Sequence, residues 1–551
     1  MKHATHKVFN QSPPLENYNP FLSDIALREA VEREGAAWAI DELMAYGELT
    51  GTTEFIRLGF QANEHPPRLR THDAHGHRVD EVEYHPAYHE LMTVAIQHGL
   101  HSLPWTAARS GAHVARAAMN YLQAQVEAGH GCPVTMTFAA MPTLRKQPEL
   151  AATWETLATA REYDRRNIPF TEKRGVTLGM AMTEKQGGSD VRANATVAKP
   201  LQVGGPGERY LLTGHKYFVS APMSDGFLML AQAPGGLSCF LVPRWTPEGV
   251  KNSIELQQLK RKMGNVSNAS AEVELRDTLA WLVGEEGRGV ANILQMVALT
   301  RFDCMVASGA GMRQAIAQIS HHAGYRKAFG KKLDQQPLMQ NVLTDLILEG
   351  EAAVALSMRT ARALDNLSQE HEMALFRLLA PIGKYWICKR APAHAYEAME
   401  CIGGSGAIEE SIMPRLYREA PINAIWEGSG NIQCLDIFRA IGRQPETLDA
   451  LIDELKAAAH LNEHYDRYLQ LLERDIVSLP KGSESPPEYR GRALIESLAL
   501  AVQSSLLLRT DNQTVAEAFC LSRLASTRSP LFGALPEGVP CREIINRARP
   551  R

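Results

Sequence analysis

The order of apolar patterns along the chain predicts a mainly α protein with a central β domain, and three observations carry that prediction. Residues 20 to 165 place apolar side chains three and four apart, as in Leu91, Val94 and Ala95 or Val114, Ala117, Ala118 and Leu122. Between about 175 and 285 the pattern changes to short runs such as Y-L-L-T-G-H-K-Y-F-V-S, F-L-M-L-A-Q and L-S-C-F-L-V-P, separated by turn residues. From about 287 the helical period returns and holds to about 445.

Each region follows from its own residues. A chain of 551 residues exceeds what one hydrophobic core serves. The expected division is a helical domain at 1–176, a β domain at 177–286, a helical bundle at 287–445 and a helical extension at 446–551. The first region reads as all-helical, punctuated at Pro66-Pro67, Gly131-Cys132-Pro133 and Met141-Pro142. In the second, strands with no helix between them favour a small antiparallel barrel or sandwich over a parallel sheet. In the third, the segments 291–324, 337–366, 371–400 and 430–442 are long, amphipathic and joined by short loops, which suggests a bundle. The extension is again helical and is broken by S-E-S-P-P-E-Y.

Composition narrows the partners. A formal net charge of -4 gives no global field toward nucleic acid or anionic membrane, so any such binding needs a local patch. The eight cysteines show no C-x-x-C pair and no Cys/His cluster at zinc spacing, so no metal site is expected and the thiols read as reduced and mostly buried. The N-terminus lacks the apolar core of a signal peptide, and the run from Leu494 to Leu508 is interrupted by Glu496, Gln503 and two serines. The expectation is a cytoplasmic protein with no transmembrane segment.

Two stretches carry chemistry. M-A-M-T-E-K-Q-G-G-S-D-V, residues 180–191, leaves a strand, turns through Gly187-Gly188 and enters another strand-like run. Such a turn exposes backbone N–H groups, with hydroxyls on Thr183 and Ser189, and can approach a flat ring and a phosphate; the plain alternative is a glycine hairpin. No helix follows, so the Rossmann pattern fails. The second stretch, A-I-W-E-G-S-G-N-I-Q at 424–433, sets Glu427 before a new apolar pattern, as a catalytic base or as a carboxylate complementing a helix N-terminus.

T-E-K-Q-G-G-S-D resembles the flavin loop T-E-x-x-x-G-S-D of acyl-CoA dehydrogenases. G-H-K-Y-F-V-S (214–220), G-E-E-G-R-G-V (284–290), Y-R-K-A-F-G-K-K-L (325–333), C-I-G-G-S-G-A-I (401–408), R-L-Y-R-E-A (415–420) and W-E-G-S-G-N-I-Q (426–433) follow in that family's order. The resemblance implies an acyl-CoA dehydrogenase-like fold, with an antiparallel β-barrel before a C-terminal four-helix bundle, and FAD as cofactor. It implies that Met182, Thr183, Gly188 and Ser189 line the flavin ring and pyrophosphate, that Phe218 and Ser220 cover the ring's other side, and that Met180 and Val219 are among the cofactor-binding residues. Arg326 and Phe329 match the element that reaches the adenosine diphosphate part of FAD held by a neighbouring subunit, which implies a homo-oligomer, in the family usually a tetramer. Gly404 belongs to a glycine run fitted to a tight crossing with cofactor or helix.

By the same resemblance Glu427 is the base that removes the proton alpha to an acyl-CoA carbonyl while hydride leaves for the flavin. Ile425 and Trp426 are expected to desolvate it. Ser429 and Asn431 match positions that contact flavin phosphate or ribose.

The chain also departs from the common pattern. A minority branch carries its base on an earlier helix, where this sequence has Phe302. Asp303 stands where an arginine usually helps orient CoA, and Pro337 replaces a frequent glutamine. The enlarged N-terminal region and the extension resemble the family's alkylation-response branch. That likeness implies weak dehydrogenase activity and binding of double-stranded DNA through the C-terminal region, to protect it or repair alkylation damage. From Arg490 to Arg551 there are nine arginines and five acidic residues. Arg439 and Arg443, with Asp436, are expected on the solvent face of the helix after Glu427, where they suit phosphates or are simply solvated. The rival expectation is a metabolic dehydrogenase of branched or long-chain acyl-CoA whose extension serves assembly or membrane association.

Overall fold

Short polar runs around a turn can pair as strands even inside a helical region, and residues 68–83 do so. The structure, a computed structural model, describes residues 5–107, 109–478, 486–525 and 529–551. Strands β1 (Arg68–His72) and β2 (Arg78–Glu83) form an antiparallel hairpin, which corrects the all-helical expectation for this region. Its turn is closed by the Asp73 carboxylate, which accepts from the amides of His75 and His77, with Gly76 at φ +83. Buried Asp80 anchors the hairpin by accepting from Arg78, Lys251 and the Leu256 amide.

The central strands are β3 (Leu178–Ala181), β4 (Val197–Pro200), β5 (Arg209–Ser220), β6 (Gly226–Ala233), β7 (Gly236–Pro243), β8 (Ile254–Leu259) and β9 (Ser270–Leu282). The ring β6-β4-β5-β9-β7 closes through the β6–β7 pairing into a barrel, with β3 added on β6 and β8 on β9. Most pairs are antiparallel, but β3 and β4 both run parallel to β6, a correction to the fully antiparallel expectation. Inward residues such as Leu212, Val219, Phe227, Phe240, Leu256 and Val273 fill its core.

The chain forms two compact units. One comprises Met1–Ile56, His113–Gln125 and Cys304–Arg551, and the other Arg57–Ala112 and Val126–Asp303. The second holds the hairpin, several helices and the barrel. In the first, the N-terminal helices, the bundle and the extension pack as one body, so the extension is not a separate module. Bundle helices span Gly289–Tyr325, Pro337–Asp365, Glu370–Ile402, Met413–Ile425 and Gly430–Arg443, the first of them entering this unit at Cys304. The extension supplies Glu446–Lys456, Glu463–Ser478, Gly491–Leu508, Gln513–Arg523 and Cys541–Ala548. Residues 483–485 of the S-E-S-P-P-E-Y break lie outside the described residues.

By length and composition Gly289–Tyr325 and Pro487–Leu508 are apolar enough to cross a membrane, but their most apolar windows are 67% and 78% buried, as core helices are. Seven of the eight cysteines are buried. Among the described residues no group of three His, Cys, Asp or Glu is placed to hold a metal ion.

Candidate active site

The helix Met413–Ile425 ends at Trp426, and the next helix begins at Gly430, so Trp426 to Ser429 form the connecting turn. Within it Glu427 has φ +58 and Gly428 φ +97. A positive φ at a residue with a Cβ is strained, by about 1 to 3 kcal/mol, and persists only when its surroundings hold it. Here they do. The Lys384 ammonium, on the helix Glu370–Ile402, donates to the carbonyls of Trp426 and Gly428, both at 2.6 Å. Gln433 Nε2 donates to the carbonyls of Gly428 at 2.8 Å and Glu427 at 3.2 Å. Lys384 and Gln433 are both buried, whereas Glu427 is half-buried. All three turn carbonyls are thus drawn inward.

Trp426 is half-buried, and its indole N–H donates to Asn423 Oδ1 at 2.9 Å. Ile425 is exposed. Ser429 is the exposed N-cap of the following helix and does not spend its hydroxyl on that helix's own amides. Asn431, also exposed, accepts from Arg492 Nε of the extension at 2.9 Å.

In the other unit the loop after β3 is tied down by Glu184. Its buried carboxylate accepts from Lys216 Nζ at 2.8 Å, Thr196 Oγ1 at 2.6 Å and the Ala195 amide at 2.7 Å. Burial pushes the Glu184 acid upward, but the Lys216 and Thr196 hydrogen bonds prevail and hold it at about 2. Burial pulls Lys216 below the usual lysine range. The Met182 carbonyl accepts from Asn194, and the Thr183 carbonyl accepts from the Tyr217 amide.

So anchored, the loop leaves Gly188 and Ser189 exposed. A Cβ on Gly188 would lie 2.4 Å from Thr183 Oγ1, so only glycine keeps this cradle open. On β5 the register shifts between Lys216 and Val219, leaving Phe218 outward, 44% exposed, and Ser220 half-buried with its hydroxyl 2.9 Å from that of Ser270. Val219 faces the barrel core, so its side chain packs inward and only its main chain is open to a cofactor. Met180 is buried, and Met182 and Thr183 are half-buried.

Comparison with known families matches residues 10–165 to the adaptive response protein AidB N-terminal domain, 179–278 to the acyl-CoA dehydrogenase middle domain and 287–442 to the acyl-CoA dehydrogenase C-terminal domain. The putative acyl-CoA dehydrogenase AidB of Escherichia coli K12 is 46% identical over 94% of each chain. The chain belongs to the acyl-CoA dehydrogenase family. Acyl-CoA dehydrogenase family member 11 of Caenorhabditis elegans is 30% identical over 81% of this chain and 74% of its own. The structure of C. elegans ACDH-11 in complex with C11-CoA superposes at TM-score 0.86 and 27% identity, over 96% of this chain and 95% of that one. An acyl-CoA dehydrogenase from Bacillus anthracis complexed with FAD shares the fold, at TM-score 0.64 and 18% identity over 84% and 81% of the two chains.

FAD is therefore the cofactor of this acyl-CoA dehydrogenase-type oxidoreductase. The glycine cradle, the exposed backbone at Gly188–Ser189 and the outward Phe218 are the residue types such a ring and its phosphates need.

Other residues that the dehydrogenase motifs singled out are more scattered in role. Arg326 Nη1 donates to the Asn10 carbonyl at 2.7 Å, which commits part of its guanidinium to its own chain. It precedes a hairpin of β10 (Lys327–Ala328) and β11 (Lys331–Lys332), where Phe329 at φ +50 and Gly330 at φ +79 make a two-residue turn. Phe329 is 98% exposed at its tip. Gly404 stands in open space, so the expected tight crossing is not made at Gly404 within this chain; Gly406, close to the Met399 carbonyl, is the tight one. Phe302 is buried, and Asp303 Oδ2 accepts from Thr135 at 2.6 Å, so Asp303 is committed to its own unit.

Asp436 is buried against Arg377, not on the open face with Arg439 and Arg443, which are both exposed. The extension's arginines are largely spent. Arg490, Arg509, Arg523, Arg547 and Arg549 pair with Asp475, Glu454, Asp345 and Glu349, Glu29 and Glu351, and Asp334. Arg528 lies outside the described residues.

Glu184, Lys216 and Gln433 lie inside the motifs, but nothing local reveals their partners. Lys384 has one sequence signal, a lone cation in the apolar run A-P-I-G-K-Y-W-I-C.

Proposed function

We propose that this flavoprotein, acting in the cytoplasm as a homotetramer, removes the α proton of an acyl-CoA thioester with Glu427. The observation that carries this reading is the strained turn itself. It carries one carboxylate, while the carbonyls of Trp426, Glu427 and Gly428 are each tied to a buried donor. Bound FAD supplies the acceptor for the hydride that leaves the β carbon. Glu427 holds the abstracted proton, and the Lys384 and Gln433 hydrogen bonds fix where that carboxylate stands. Binding of C11-CoA by the C. elegans neighbour supports a medium or long acyl chain. The test is anaerobic bleaching of the flavin by a panel of acyl-CoAs that includes undecanoyl-CoA. Glu427→Gln should keep FAD and lose bleaching, and a variant that still bleaches at the original rate removes Glu427 from this role.

A second reading concerns double-stranded DNA, bound for protection or repair of alkylation damage. The match of residues 10–165 to an adaptive response protein domain supports it, as do exposed Arg439 and Arg443, for which no ion pair is made among the described residues. Such contact is to phosphates and weakens with salt. Because the extension's arginines are mostly paired, the helix face of Arg439 and Arg443 is the better candidate surface. The exposed Phe329 at the hairpin tip is the side chain we assign to the tetramer contact. Phe329→Ala is expected to lower the oligomeric state in sedimentation, and an unchanged tetramer would count against that contact.

A further inference from the structure

We infer that Lys384 is a positioning residue for Glu427, an inference that rests on the reading of Glu427 as base. Burial of an ammonium is costly, and the cost is normally offset by a carboxylate. Lys384 is 1% exposed, makes no ion pair among the described residues and gives two 2.6 Å hydrogen bonds to carbonyls of a single turn. A neutral amide can satisfy turn carbonyls, as Gln433 does three positions after Gly430. The charge therefore does something that satisfying acceptors alone does not require.

The geometry points to what it does. The two accepting carbonyls flank Glu427, one on Trp426 before it and one on Gly428 after it, so the ammonium pins both sides of the residue with φ +58. Charge-assisted bonds are shorter and stronger than neutral ones, and two of them from one donor over-determine a conformation that would otherwise relax. The donor is itself rigid. Lys384 lies three residues after Pro381 in a helix where Leu379, Ile382, Tyr385, Ile387 and Cys388 are buried around it. The neighbouring cations on that helix serve elsewhere: Arg390 pairs with Glu349, and Lys389 is exposed. A base held on a packed helix through short bonds keeps its carboxylate within the tolerance that proton abstraction demands.

The experiment uses the full-length FAD-loaded protein and undecanoyl-CoA. Lys384→Met should retain FAD by its visible spectrum and speed amide exchange at residues 426–430. It should lower the limiting rate of anaerobic flavin reduction about a hundred-fold, the scale of an ångström-sized misplacement. The acyl-CoA concentration for half-maximal rate should stay within about twofold, since the groups that bind substrate are untouched. Lys384→Arg, which keeps a charged donor, should recover part of the lost rate. If Lys384→Met does not fold, Lys384→Gln carries the same test, because it keeps a neutral donor without the charge. A wild-type limiting rate in the variant that folds, or a loss confined to half-saturation, overturns the inference. Glu427→Gln run in parallel separates the two readings. If it is inactive while the Lys384 variants reduce normally, only the clamp fails; if it remains active, the base reading fails and the clamp's catalytic meaning with it.

Discussion

Glu184 and Lys216 fix the loop after β3 through one buried ion pair, and its pH behaviour follows from the Glu184 shift. Glu184 titrates lower folded than unfolded, at about 2 rather than near its usual 4.5. Its contribution is therefore fully present above the unfolded value and is lost as pH falls from there through the folded one. Glu184→Gln should cost about 3 to 5 kcal/mol near neutral pH, because Lys216 then stays buried without its carboxylate. Urea unfolding from pH 6 down to pH 3 should show wild type losing stability faster than the variant, and parallel slopes would contradict the assignment. At Gly188 the consequence is for the cofactor. Gly188→Ala forces a Cβ against Thr183, and FAD affinity by fluorescence titration should fall at least about tenfold, or 1.4 kcal/mol. The motif made Thr183, Gly188 and Ser189 legible, because their chemistry is local. Glu184 and Lys216 stand 32 positions apart, and the pattern between them does not reveal their pairing.

At the scale of elements, the long helical segments were legible because a 3.6-residue period over thirty positions has few competitors. The hairpin at 68–83 was not, because its alternation is brief and its sequence polar, and the groups that anchor it, such as Lys251 and the Leu256 amide on Asp80, are far away in sequence. The parallel pairing of β3 on β6 was also out of reach, since strand order depends on how the barrel closes. The extension changed meaning most. Its arginines suggested a basic surface, but most of them meet carboxylates of the bundle, the N-terminal helices or the extension itself, and Trp386 donates to Gln503 of the extension at 3.0 Å. Arg547→Ala should destabilise by about 3 kcal/mol, since Glu351 then loses its ion-pair partner in a buried site. Deletion of residues 446–551 should abolish cooperative melting of the bundle unit, measured by calorimetry. A truncated chain that melts sharply at the original temperature would show the extension to be a free module after all.

For the molecule as a whole, net charge and composition left function open, and the motif register with the match to known families decided the class. The two proposed activities make different demands on one surface. If duplex DNA is held through Arg439 and Arg443, replacing both with alanine should reduce the slope of log affinity against log salt by about 2, one for each phosphate no longer neutralised. Flavin reduction should be unchanged in that variant. The central claim is narrower: the turn held by Lys384 and Gln433 presents Glu427 as a base. Its most direct test is stopped-flow reduction of the bound flavin by undecanoyl-CoA under anaerobic conditions in wild type and Glu427→Gln. The account predicts reduction in wild type, and in the variant full FAD occupancy with reduction slowed by at least about a hundred-fold, the low end of what a general base contributes. Equal rates in the two proteins, or no reduction of the wild-type flavin by any acyl-CoA tried, would contradict it.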